Sequence, residues 1–287
     1  MRVALRVLGI SVTALAAATA EAQTPDANAS AKASLTFHAP FDGGPDATVA
    51  RGDRAIYWAG SMKRDDAKPG LPEGVEIARG AGKRGDALRF VKKNERVVFF
   101  RAKDNVAYKA HDWSGTVSFW LNVDPDRGLD PTYVDPLQIT PRAWDDAALW
   151  VDFSKDDAPR HFRLGAFADK KVWNPSNKDF EKMSPAERPM FDAGKPPFAS
   201  GKWSHVVVTF EKFNTGRDDG VATLYLDGTR RGAVAGRTQT FTWDVDRAAV
   251  MIGLSYTGLF DELSLFDRAL SADEVRALYE AGGVVAP

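Results

Sequence analysis

The chain has 287 residues, with 38 Lys and Arg against 39 Asp and Glu, for a formal net charge of −1. Such a balance leaves no basic field for nucleic acid or anionic lipid, and 44% hydrophobic with 11% aromatic residues supplies a packed core, which excludes a disordered chain. The absence of cysteine excludes disulfides, thiol catalysis and Cys-ligated metal.

Arg2 and Arg6 precede an apolar stretch over residues 7–18, and Ala20-Glu21-Ala22 matches a small-x-small cleavage pattern. Residues 1–22 are therefore predicted to be a secretory signal peptide. The apolar stretch is short for a span of ~20 residues, and no later segment is long and apolar enough to cross a bilayer as a helix. The expected product begins near Gln23 as a monomer in a secreted, periplasmic or cell-surface setting. Residues 23–34, rich in Ala, Ser, Asn and Asp, are expected to form a flexible tether, with one domain over residues 35–287.

From Leu35 onward, apolar or alternating runs follow one another: "LTFHAPF", "ALRFV", "RVVFF", "TVSFWLNV", "PLQIT", "AALWVDF", "HFRLGAF", "WSHVVVTF", "VATLYLDG", "AAVMIGL" and "LFDELSLF". Gly, Pro, Asp and Asn clusters separate them, which predicts many short strands in an all-β sandwich or jelly roll. Two stretches break the rhythm, residues 57–74 and residues 173–200. Long insertions of this kind often act as binding loops or lids. After the last strand, Ser271 stands three residues before Glu274, Leu270 and Val275 occupy staple positions, and Gly282 supplies a stop, predicting one short capped helix. A helix of about ten residues is too short to stand alone, so Val275, Leu278 and Tyr279 are expected to pack on something larger.

"GKWSHVVVTF" (residues 201–210), "LYLDG" (224–228) and "MIGLSYTGLFDELSLFDRALSADEVRALYEAG" (251–282) resemble, in order and spacing, the second half of LamG-like jelly-roll domains of the concanavalin A-like lectin/glucanase superfamily. "FDGG" (41–44), "GDALRF" (85–90) and "GTVSFWLNV" (115–123) are similar to the first half. The resemblance implies a jelly-roll β-sandwich whose last strand lies beside its first, with the short C-terminal helix as a cap. It also implies a bacterial-type binding or adhesion module. Many such domains hold a structural Ca²⁺, for which Asp42 and Asp261 are the expected ligands here, since neighbouring first and last strands would bring them together. Calcium takes hard oxygen donors. The alternative is that Asp42 caps a turn and Asp261 pairs with a nearby Arg or Lys.

For catalysis, a retaining glycosidase needs two carboxyls about 5 Å apart on one face, and no E-x-D-x-x-E run occurs. "AALWVDFSKDD" offers only Asp152 within its strand. None of His38, His111, His161 and His205 forms a close metal-ligand pair, and His205 is expected to be a framework residue. No catalytic residue is assigned. For binding, period-two alternation sets Trp120 and Asn122 opposite Val117, Phe119 and Leu121, Trp150 and Asp152 opposite Leu149, Val151 and Phe153, and His161 and Arg163 opposite Phe162 and Leu164. Trp120, Trp150, Asp152 and Arg163 are thus the candidate glycan-binding residues, because sugar C–H faces stack on indole while hydroxyls need carboxylate and guanidinium partners. The alternative is that Trp120 and Trp150 form a second core layer under the long loops. The expected partner is a polysaccharide or surface glycan. The competing expectations are another surface protein, or a divergent hydrolase or lyase with two carboxylates facing one cleft.

Overall fold

A strand that is apolar on alternate residues must bury one side against a second layer. In the computed structural model, which describes residues 27–284, two antiparallel sheets meet in this way. Strands are numbered β1 to β17 and helices α1 to α4 in chain order, the single-turn helices α2 (Pro125–Gly128) and α3 (Lys170–Trp173) lying between strands. The first sheet contains β1 (Leu35–Ala39), β2 (Val49–Ala50), β5 (Val75–Ala78), β6 (Ala87–Phe90), β8 (Trp113–Asn122), β13 (Trp203–Phe213), β14 (Gly220–Leu226), β15 (Thr229–Arg237) and β17 (Gly258–Phe266). The second contains β3 (Ile56–Ala59), β4 (Lys68–Pro69), β7 (Val97–Arg101), β9 (Val134–Thr140), β10 (Ala148–Phe153), β11 (Phe162–Phe167), β12 (Met190–Asp192) and β16 (Ala249–Leu254). The spatial orders are β15-β14-β13-β8-β17-β1-β2, with β6 beside β17, and β12-β11-β10-β9-β16-β7-β3-β4. As expected, the first strand lies beside the last, Ala39 opposite Leu263.

The predicted inward sets form the core. Val117, Phe119 and Leu121 of β8 and Val206 and Val208 of β13 share one buried cluster with Leu149, Val151 and Phe153 of β10 and Phe162 and Leu164 of β11. Each such side chain contributes about 1.5–3 kcal/mol on full burial.

The outer face of the first sheet is covered. Helix α4 (Ala272–Ala281) begins at Ser271, whose hydroxyl accepts from the Glu274 N–H while the Glu274 carboxylate accepts from the Ser271 N–H, and it stops at Gly282 with φ +76°. Its Val275 and Leu278 pack on Val207, Tyr225 and Phe266, so the C-terminal helix caps the sandwich from the side.

Part of the predicted tether is ordered structure. Residues 27–33 form helix α1 (Ala27–Ala33), with Ala31 fully buried against the cluster beneath α4 and the Ser30 carbonyl accepting from Arg268. Composition resembled a linker because the segment has no large apolar residue, yet alanine is the best helix former and its small side chain permits close docking. The predicted signal peptide and residues 23–26 lie outside the described residues.

Candidate functional site

The outer face of the second sheet carries a recess. Alternation turns Trp150 and Asp152 of β10 away from the core, and the register places Gln138 of β9 and Gly165 of β11 on either side of Trp150, with Arg163 opposite Asp152. Trp150 lies flat over Gly165, where a Cβ would come within 2.2 Å of the indole, so the glycine leaves room for the ring. The Trp150 Nε1–H donates to the Trp144 carbonyl at 3.0 Å, and Phe167 stacks on the ring at 5.4 Å. Trp150 is thereby held as a floor, only 4% exposed.

Walls rise around that floor. Trp144, 42% exposed, meets Phe180 edge-on at 5.1 Å, and Met190, Tyr133, Met62 and Leu254 complete the rim of a cavity of about 390 Å³. Phe180 and Met190 belong to the 173–200 insertion, which therefore walls the recess. It is tied down by β12 pairing with β11 and by the Trp173 Nε1–H donating to the Asp145 carbonyl.

Besides Arg142 and Glu181 at the rim, two strand carboxyls and a guanidinium lie in the recess. Arg163 grips Asp152 in a bidentate pair, Nε donating to Oδ1 at 2.8 Å and Nη2 to Oδ2, and its guanidinium stands 5.1 Å from the Tyr133 ring centre. Burial raises the Asp152 pKa, and Arg163 opposes that rise. The second carboxyl, Asp135 of β9, was not singled out from the sequence. Burial pushes it well above the usual carboxylate range, the neighbouring Asp152 pushes it further, and Arg163 opposes the rise. Asp135 escaped notice because it has the parity of the core residues Leu137 and Ile139. A bulge reverses that parity, since Val134 pairs with Phe153 and Leu137 with Val151, leaving Asp135 and Pro136 opposite Asp152 alone. Pro136 was the available clue, because proline within a strand marks a bulge or an edge.

Comparison with known proteins decides the family. The sequence profile of the concanavalin A-like lectin/glucanases superfamily matches residues 100–276. The chain belongs to that superfamily. Among solved structures it is similar to domain 4 of AbnA, a GH43 extracellular arabinanase from Geobacillus stearothermophilus, solved with arabinotriose, at 18% identity and a TM-score of 0.53, covering 85% of this chain and 98% of that one. It is also similar to the ligand-binding domain of botulinum neurotoxin serotype D solved with N-acetylneuraminic acid, at 11% identity and a TM-score of 0.55, covering 89% of this chain and 52% of that one. The chain thus spans about half the length of the toxin chain. A search of curated proteins found no match.

Within this lectin/glucanase fold, Trp120 does not join the site. It sits on β8 in the other sheet, 1% exposed beneath α4, where it stacks on His205 at 4.6 Å and on Tyr279 at 5.7 Å, with the Lys83 ammonium 4.3 Å from the ring centre. Trp120 is a buried second-layer residue under helix α4 rather than under a long loop, whereas Trp150 does pack beneath the 173–200 insertion, against Trp173, Phe180 and Met190, while still lining the recess. Equal strand parity places two residues in one layer only when their strands share a sheet. His205 is fully buried, with Nε2 bonded to the Ser118 hydroxyl at 2.8 Å, and burial lowers its pKa to about 3. It is a neutral framework residue.

Asp42 and Asp261 each engage the 82–86 turn. Asp42 Oδ1 accepts from the Asp86 N–H, while Asp261, fully buried, accepts from Lys83 and Arg84 N–H at Oδ2 and from Glu262 N–H at Oδ1. Next to them stands Glu262, at a bulge in β17 with φ +54°. Its Oε2 is buried with no hydrogen-bond partner and lies 3.8 Å from His38 Nε2. Burial raises Asp261 to about 7 and Glu262 to about 8, with Asp42 adding to both. Among the described residues no group of three His, Cys, Asp or Glu side chains has the spacing of a ready metal cage.

Proposed function

We propose that the chain is a carbohydrate-binding module whose site is the Trp150 recess. The observation that carries this reading is the combination, in one open cavity, of an indole floor, an exposed indole wall and a buried Asp152–Arg163 pair. Aromatic faces with a few convergent polar groups are the general make-up of ligand sites, and a sugar ring presents C–H groups to the first and hydroxyls to the second. The arabinotriose solved with the arabinanase domain and the N-acetylneuraminic acid solved with the toxin domain are in keeping with this use of the fold. A glycan array followed by calorimetry on the hits tests the proposal. Saccharide binding that Trp144→Ala weakens is expected, whereas an array with no hit, or a protein ligand captured elsewhere on the surface, would remove it.

A second reading is favoured by one specific observation: Asp135 and Asp152 stand opposite each other in the same recess, with burial raising the pKa of Asp135. A protonated and an ionised carboxyl facing one cleft are the acid and the nucleophile or base of glycoside hydrolysis. Reducing-end release from the bound polysaccharide, lost in Asp135→Asn, would establish it. Binding without release leaves the module a lectin, because Asp152 is already committed to Arg163.

We also propose a structural Ca²⁺ at Asp42 and Asp261, with backbone carbonyls completing its oxygen shell. The orphaned Glu262 oxygen and the raised carboxyls are the features of a cluster short of positive charge, and an all-oxygen donor set suits Ca²⁺ over Zn²⁺. The bound ion would supply that charge. Export completes the proposal: a monomer beginning after Ala22, in a secreted or surface location. N-terminal sequencing and gel filtration of the exported protein check this, and a mature form retaining residues 1–22 would contradict it.

A further inference from the structure

The Trp150 recess does not end at Met62 and Arg142. Both residues also line a second recess of about 400 Å³, whose remaining charged side chains are Lys63, Arg64, Arg247 and Asp244. Arg142 is already neutralised by Asp146 and Asp169. The other three cations have no carboxylate within ion-pair distance among the described residues, in a chain whose overall charge is −1.

Arg64 is built into place. Its backbone adopts φ +59°, and its guanidinium donates to the Met62 carbonyl at 2.6 Å and to the Arg247 carbonyl at 2.7 Å. Two backbone carbonyls thus hold the cation in position without cancelling its charge. Burial lowers the Arg64 pKa and the neighbouring Arg247 adds to that, while Asp65, the next residue, opposes it. The loop itself is fixed at its base, where the Gly60 N–H donates to the Asp66 carboxylate.

We infer that this second recess is an anion subsite contiguous with the aromatic one, and that the ligand is an acidic saccharide. The inference rests on the glycan reading of the Trp150 recess and names its ligand class. One end of the composite site offers an indole floor with Gln138, Asp135 and the mutually neutralised Asp152–Arg163 pair, which suits an uncharged, hydroxyl-rich ring. The other end offers Lys63, Arg64 and Arg247 against the single charge of Asp244. A ligand filling both ends carries sugar hydroxyls at one and a carboxylate or sulfate at the other, where each anion would accept charge-assisted hydrogen bonds.

The test is calorimetry of the full chain with an oligogalacturonate, a sulfated galactan, a neutral arabinan and polyglutamate, at low and high salt. The double variant Lys63→Gln/Arg247→Gln changes two exposed side chains, and a thermal melt checks its folding. The expected result is tighter binding of an acidic saccharide than of the neutral one, weakened by salt and reduced at least about tenfold by the double variant, the size of one lost charge-assisted contact. A preference for the oligogalacturonate identifies the anion as a carboxylate, and a preference for the galactan identifies it as a sulfate. Neutral arabinan bound as tightly as either acidic polymer overturns the inference but spares the glycan reading. Polyglutamate bound as tightly overturns it as mere charge attraction. Failure of every saccharide overturns both.

Discussion

Trp120 and Trp150 show how one residue type at one strand parity reaches opposite ends. Trp120 is sealed between His205, Lys83 and Tyr279, so Trp120→Ala should cost about 3–5 kcal/mol, as for other buried aromatics, read in a denaturant melt. Trp144 is 42% exposed and meets Phe167 and Phe180 edge-on, so Trp144→Ala should cost only about 0.5–1.5 kcal/mol of stability while weakening saccharide binding by about tenfold, equivalent to about 1.4 kcal/mol. Arg163 has a different role. Removing it leaves Asp152 buried without its partner, so Arg163→Ala should destabilise by about 3–5 kcal/mol. Arg163→Lys should recover only part of that loss, because an ammonium cannot reproduce the bidentate fork. Equal stability of Arg163→Ala and the parent would show that Asp152 takes up a proton at no cost.

At the level of elements, the site depends on a glycine and a bulge. Gly165 on β11 is the seat of the Trp150 ring, and Gly165→Ala should tilt or expel the indole, costing about 1–3 kcal/mol as overpacking does and removing saccharide binding with it. Measuring Tm and affinity on the same variant separates this from simple unfolding. The β9 bulge turns Asp135 out beside Asp152. Helix α4 closes the opposite face. Ser271→Ala removes one half of its capping box and should cost about 0.5–2 kcal/mol, seen as a lower Tm with binding unchanged, since α4 and the recess lie on different sheets.

Across the whole molecule, buried titratable groups set a pH profile with two limbs. Asp261 and Glu262 have folded pKa values of about 7 and 8, above those of an unfolded chain, so the unfolded state releases its protons first as pH rises. Stability therefore declines from about pH 4.5 to 8. His38 and His205 are lowered by burial to about 4 and 3, so the unfolded state gains protons first as pH falls below about 6.5, and stability declines toward acid. Glu274, held at about 2 chiefly by its hydrogen bond from Arg268, adds to the acid limb below about pH 4.5. In EDTA, Tm should peak in mildly acidic buffer, and Glu262→Gln should flatten the alkaline limb. Millimolar Ca²⁺ should flatten it too, raising Tm at pH 8 by a few degrees, at about 2–4 °C per kcal/mol for a domain of this size. Parent curves that coincide in EDTA and in Ca²⁺ would remove the metal.

What the sequence by itself determined was local or family-wide. Alternation in "GTVSFWLNV" and "ALWVDF" separated core from outer residues correctly, because side-chain direction in a strand follows parity alone. Ser271, Glu274 and Gly282 marked both ends of α4, because capping is settled within one turn of chain. The "LFDELSLFDRALSADEV" block identified the superfamily. Tertiary structure decided the rest. Parity states which side of a strand a residue faces and not which sheet the strand joins, so only the pairing of β8 with β13 and β17 and of β10 with β9 and β11 sent Trp120 beneath a helix and Trp150 to an open cavity. Asp135 became part of the site through a bulge that reverses parity. The "NASAKA" segment became a helix because α4 was there to receive it. Each of these depends on contacts between residues far apart in the chain, whose energies are absent from any local window of sequence.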